Sequence, residues 1–191
     1  MPFSAVDRKT ALIVVDLQAG AVGLPSAHPV DEVVQRSVTL ARAFRRRGLP
    51  VVLVNVAGTP GGRTDAGARH TGAFPENWTD LIAQLERDES DLVVTKHARS
   101  AFTGTGLTER LRGLGVTQVV VTGIATSSGV ESTARTAHEE GFHVSLPVDA
   151  MTDSALDSHE HSVTRVFPRI AETGTTEQLL SLLGQTQQTP A

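Results

Sequence analysis

The run Ala11-Leu12-Ile13-Val14-Val15-Asp16 decides how this chain is read. An uninterrupted apolar stretch of this length is too short for a helix and too uniform for a strand with one wet face. It reads as a strand buried on both faces, which is the signature of a parallel sheet. The same kind of run recurs at residues 51–56, 92–95, 118–122 and 143–148, and a short sixth strand is expected near 170–173. Helix-length amphipathic stretches lie between them, at 30–47, 78–87, 105–114, 128–140 and 157–167, with a last helix at 176–183. Gly48, Gly115 and Gly141 stand where helices should stop. This alternation predicts an α/β fold, a three-layer sandwich around a central parallel six-stranded sheet. With 191 residues, the chain is expected to form a single domain, residues 1–191, with its core at about 10–183 and a polar tail from 184 to 191.

Composition narrows the function. A net charge of −4 with dispersed basic residues speaks against nucleic-acid binding. The one basic run, Arg45-Arg46-Arg47, closes a helix before Gly48, where cations suit the helix dipole. The chain has no cysteine, which removes disulfides, thiolate metal sites and thiol catalysis together. Residues 1–10 hold no long apolar run, and the other apolar runs are strand length. The expectation is a cytoplasmic protein without a signal peptide or membrane anchor.

In open parallel sheets, ligands bind beyond the carboxyl ends of the strands. Asp16, Asn55, Lys96 and the turn at Gly123 all fall at such ends. Asp16 leaves an apolar strand, and burial there raises a carboxyl pKa toward acid–base usefulness; the bland alternative is an aspartate capping the next turn. Lys96 can neutralise a carboxylate or hold an anion, or can be a solvated strand-end lysine. Residues 57–75, rich in Gly, Thr and Arg, read as a long loop of the kind used for lids or partner contacts.

The stretch Val121-Thr122-Gly123-Ile124-Ala125-Thr126-Ser127-Ser128-Gly129-Val130-Glu131-Ser132-Thr133 reads as a buried strand, a small-residue turn and a helix start, a geometry that suits developing negative charge. Ser127 and Ser128 suit a helix N-cap. With Asp16 upstream and Lys96 before Ser100-Ala101-Phe102, this stretch resembles the isochorismatase-like (cysteine hydrolase) superfamily over about residues 10–183. That resemblance implies a Rossmann-like topology, a non-proline cis peptide at Ile124–Ala125 and a cofactor-free hydrolase acting on a small molecule. It implies catalytic roles for Asp16, Lys96 and the Gly129 position, with Gln18, Phe102, Ile124, Ala125 and Ser128 around the substrate.

Most members of that superfamily carry the nucleophilic cysteine where this chain has Gly129. Its absence removes the thioester route. The resemblance to true isochorismatases, which also place Gly-Val at this point of the turn, implies vinyl ether hydrolysis with Asp16 as the acid and no protein nucleophile. Ala125, Thr126 and Ser127 depart from the aromatic and histidine residues those enzymes carry there. Arg63 and Arg69, in the long loop, either supply positive charge to a substrate carboxylate or are solvated. The competing reading is a non-catalytic small-molecule binder or structural member. Retention of both Asp16 and Lys96 favours the enzyme, because a decayed site has no physical need of a buried charge pair.

No metal site is expected. His159 and His161 project to different sides of a helix, the segment Asn55-Val56-Ala57-Gly58 offers no ligand cluster, and His28 reads as structural. A nucleotide-binding Rossmann domain is also disfavoured, since Ala19-Gly20-Ala21-Val22-Gly23 has the wrong glycine spacing. The expected partners are a small-molecule substrate and other copies of the chain, as a homodimer or homotetramer built around exposed Phe74, Trp78 and Phe167. Neither nucleic acid nor membrane is expected.

Overall fold

The computed structural model describes residues 3–58, 60–65 and 74–185. Its strands are β1 (Thr10–Val15), β2 (Val51–Val56), β3 (Leu92–Lys96), β4 (Gln118–Ile124), β5 (His143–Pro147), β6 (Met151–Thr152) and β7 (Glu172–Gly174). The α-helices are α1 (Ala19–Val22), α2 (Val30–Arg45), α3 (Leu107–Gly113), α4 (Glu131–Glu139), α5 (Leu156–His161) and α6 (Thr176–Gln185).

All six residues of β1 are buried, as its apolar run demands. Alternate side chains enter opposite layers. Ala11, Ile13 and Val15 join a core with α3, α4 and Phe167, whereas Leu12 and Val14 join a second core with α2 and α6. Each fully buried Leu, Ile or Phe in these layers contributes roughly 1.5–3 kcal/mol of transfer free energy. The sandwich therefore holds its central strand from both sides.

The strand order is β3-β2-β1-β4-β5-β7, with β6 pairing β4, and every pair is parallel. Chain order runs outward from β1 through β2 to β3, and in the other direction outward from β4. The topological switch point is thus the seam between β1 and β4, where a crevice opens beyond the carboxyl ends of an open parallel sheet. In register, Val15 lies opposite Val54 on one side and Gly123 on the other. Asp16, Asn55 and the turn after β4 therefore come to one edge.

The expected parallel sheet is present as a six-strand path, and Met151 and Thr152 add a two-residue strand beside the carboxyl end of β4. Two other expectations need correction. Residues 78–87 form no α-helix: the chain makes turns, an antiparallel bridge between Gln18 and Leu81, and a single 3₁₀ turn at Ala83–Leu85. Its backbone is held instead by the segment after β1, with Ala19 N–H donating to the Asp80 carbonyl at 2.8 Å and Gly20 N–H to the Trp78 carbonyl at 3.1 Å. Phe167 is not exposed but wholly buried. Arg69 falls outside the described residues. No helix among the described residues is long and apolar enough to cross a membrane.

Candidate active site at the β1–β4 crevice

Asp16 is the residue on which β1 turns out of the sheet. Its N–H still bonds the Val54 carbonyl at 2.9 Å, but its φ of +53° is left-handed, a conformation rare outside glycine. The carboxylate caps no turn. Its Oδ2 accepts a 2.7 Å hydrogen bond from Lys96 Nζ, and both side chains are nearly sealed from solvent. Burial pushes the Asp16 carboxyl up to about 6, outweighing the pull of the Lys96 charge and its hydrogen bond. The other oxygen, Oδ1, is buried and has no hydrogen-bond partner. An orphaned buried oxygen on a carboxylate is costly, and a buried carboxyl with a raised pKa is a candidate for acid–base chemistry.

The turn after β4 completes the edge. The Ile124–Ala125 peptide is cis, and Thr126–Val130 forms a π-helical turn that runs into α4. Gly123 has φ +114°, and a methyl group there would lie 2.0 Å from the Val15 carbonyl oxygen. Only a bare backbone brings β4 this close to β1. Gly129 is buried directly over the carboxylate: a Cβ there would meet Asp16 Oδ2 at 3.2 Å, Val15 Cγ1 at 3.0 Å and the Ile124 carbonyl oxygen at 3.3 Å. Gly129→Ala is expected to leave the melting temperature within a few degrees, because these contacts need shift only tenths of an ångström. It should nonetheless lower turnover by about tenfold or more by crowding the carboxylate. Melting curves and kinetics on the same preparation check both halves.

Beside the turn lies a cleft of about 370 Å³, lined by Ile124, Ala125 and Ser128 with Leu24, Pro25 and Asp153 among others. A larger cavity, about 420 Å³, lies at the opposite, amino ends of β4 and β5, around Gln118 and His143. The smaller cleft lies on the side of the turn after β4, at the carboxyl end of the sheet, although Asp16, Lys96 and Gly129 do not themselves line it.

The other residues singled out from sequence take different places. Gln18 is wholly buried, and its amide is spent on the Val56 N–H and on the carbonyls of Val56 and Trp78. Phe102 packs in the core with its ring stacked 6.0 Å from Phe142. Arg63 is exposed. Neither serine caps the helix: the π-turn begins at Ala125 without a side-chain cap, and Ser127 donates its backbone N–H to Asp153 Oδ2 at 2.6 Å. Asn55 donates to the Thr79 carbonyl at 2.7 Å and leaves its own Oδ1 without a partner, as is the indole N–H of Trp78. Among the described residues, no three His, Asp or Glu side chains come together as a metal-ligand set.

From sequence, Asp153 had no role, Thr126 stood only as a departure in the turn and His159 only as an unsuitable metal ligand. Each is an ordinary residue type in isolation, and only the fold brings them behind the turn. Their one advance signal is that polar residues so close to a tight turn need partners when buried.

Residues 10–178 match the family model described as the isochorismatase domain. The chain is 38% identical over 183 residues to the isochorismatase family protein YecD of Escherichia coli O157:H7, covering 92% of this chain and 97% of that protein. It is 31% identical over 192 residues to the isochorismatase of Bacillus subtilis (strain 168), covering 96% of this chain and 60% of that longer one. A solved isochorismatase family protein from Burkholderia thailandensis matches with a TM-score of 0.90 and 35% identity, covering 96% of this chain and 98% of the other. With the sheet order, the switch-point crevice and this match over nearly its whole length, the chain belongs to the isochorismatase family.

Proposed function

We propose that this protein is a small-molecule hydrolase that forms no covalent intermediate and cleaves a vinyl ether of the isochorismate type, with Asp16 as the acid. The observation that carries this reading is the buried Asp16 carboxyl, pushed up to about 6, with Oδ2 held by Lys96 beneath the bare backbone of Gly129 and Oδ1 without a partner. The similarity to the Bacillus subtilis isochorismatase supports the bond class.

Lys96 occupies Oδ2, so the transferable proton sits on Oδ1. That proton moves to the terminal carbon of the enol ether, leaving an oxocarbenium ion at the ether carbon. Water adds to that carbon and returns a proton to Asp16. The hemiketal then breaks its C–O bond, releasing pyruvate and the ring alcohol, so that one water is consumed and the acid is regenerated. Gly129 leaves the substrate room over the carboxyl, and Arg63 meets a substrate carboxylate from the long loop.

The pH dependence follows from the acid form. A carboxyl with its pKa near 6 is about nine-tenths protonated one unit below that value and about one-tenth protonated at pH 7. The rate is therefore expected to be greatest on the acid side and to fall tenfold per unit as pH rises beyond about 6. Pyruvate release from isochorismate, followed between pH 5 and 8, is the test. No pyruvate at any pH removes the vinyl ether reading, and a rate that climbs with pH removes Asp16 as the acid.

A further inference from the structure

Behind the turn lies a group of polar side chains that the proposed chemistry does not use. Thr126 is wholly buried, and its hydroxyl lies 2.9 Å from Nδ1 of His159 on α5. The His159 ring, itself buried, meets the ring of His28 edge-on at 4.6 Å. His28 Nδ1 lies 3.1 Å from Thr152 Oγ1, which also accepts the His28 backbone N–H at 3.1 Å. Thr152 belongs to β6 and sits in register with Ile124. Asp153 closes the group. Its Oδ2 takes the Ser127 N–H at 2.6 Å, and its carbonyl takes the Ala27 N–H at 2.7 Å. Three stretches far apart in sequence, at 27–28, 126–127 and 152–159, are thereby tied to one another directly beneath the residues that carry Gly129.

The Thr152 oxygen already accepts from the His28 backbone, so its proton is available to Nδ1 of a neutral His28. His159 is held below the usual histidine range by burial and by His28, against the opposing pull of Asp153 and Glu160. Burial of the His159 ring disfavours its charged form. In the neutral tautomer that carries its proton on Nε2, His159 accepts at Nδ1, and the Thr126 hydroxyl is then the donor at the start of the turn.

We infer that His159 is a positioning residue: by gripping Thr126 it holds the π-helical turn in the one place where Gly129 stands over Asp16. The kinetic consequence rests on the function proposed above, but the structural consequence does not, and the test separates them. Thr126→Val removes the hydroxyl at nearly constant volume, and Thr126→Ser retains it.

In Thr126→Val, kcat on isochorismate should fall ~10- to 100-fold, with KM within about threefold of the parent. The fall in rate beyond pH 6 should persist, since Asp16 is untouched. Thr126→Ser should recover most of kcat. Nitrogen-15 NMR of the histidine rings at pH 7 should find His159 Nδ1 without a proton, and the amide signals of residues 125–130 should move in Thr126→Val. His159 protonated at Nδ1, or a Thr126→Val protein whose turn signals stay at their parent positions, would overturn the inference. So would kcat and KM worsening together in both variants in step with a lowered melting temperature, the mark of a merely structural threonine. If the parent protein releases no pyruvate, the proposed reaction fails and the NMR outcome alone decides this inference.

Discussion

Asp16→Asn is expected to lower kcat/KM for pyruvate release by ~10²- to 10⁴-fold, the range for removing a positioned general acid. The amide matches the carboxyl in shape and can still accept from Lys96, but it has no proton to give to carbon. A second effect accompanies the first. With its anion gone, Lys96 is left as a buried cation without a counter-charge, and breaking such a pair costs about 3–5 kcal/mol. Lost activity alone could therefore be blamed on unfolding. Combining Asp16→Asn with Lys96→Met removes both charges, and this protein should regain most of the melting temperature while remaining inactive. If the single variant keeps more than about a tenth of the parent rate, Asp16 is not the acid. If the double variant regains activity along with stability, the ion pair was a folding feature only.

Gly123→Ala should have the largest effect on the fold. The new methyl group would sit 2.0 Å from the Val15 carbonyl oxygen and 2.8 Å from the Val15 backbone nitrogen, on a residue whose φ is +114°. Neither neighbour is a flexible side-chain end, so relief requires parting β4 from β1 along the seam that anchors the sheet. Costs above about 4 kcal/mol arise from a short list of such mechanisms. For a chain of this size, that corresponds to a fall of about 10 °C or more in melting temperature, or to failure to fold. Gly141→Ala is the control. Its φ is also left-handed, at +85°, but nothing lies within 4 Å of the added methyl group. It should cost only the 1–2 kcal/mol or so of the backbone preference. Equal melting temperatures for the two alanine proteins would mean that the Gly123 contact does not constrain the seam.

The parts of the fold legible in sequence are those set by burial on both faces. The run at 11–16 and its counterparts are apolar because two helical layers cover them, and that pattern survives without any tertiary knowledge. Position along the strands then placed Asp16 and Lys96 at a common edge. What could not be read is where long-range backbone bonds overrule a local pattern. Residues 78–87 have a helical rhythm, yet the carbonyls of Trp78 and Asp80 are claimed by Gly20 and Ala19. Gln18 and Phe102 look like substrate contacts on motif position alone, but one has its amide spent on backbone groups and the other packs as core. The His28–His159–Thr126 group was invisible for a different reason. Its members lie up to 131 residues apart (159 − 28), and no spacing rule links them.

The bare backbone at Gly129 has one more consequence, which concerns oxidation. A low-pKa thiolate is the side chain most readily converted by peroxide to sulfenic and then irreversible acids. This chain has none to lose, and its sulfur is confined to Met1 and Met151. Met151 is 1% exposed, packed at the foot of β6. A crevice built from a carboxyl, an ammonium and glycine offers neither peroxide nor alkylating agents a soft nucleophile. Chemistry conducted there does not depend on keeping a catalytic thiol reduced.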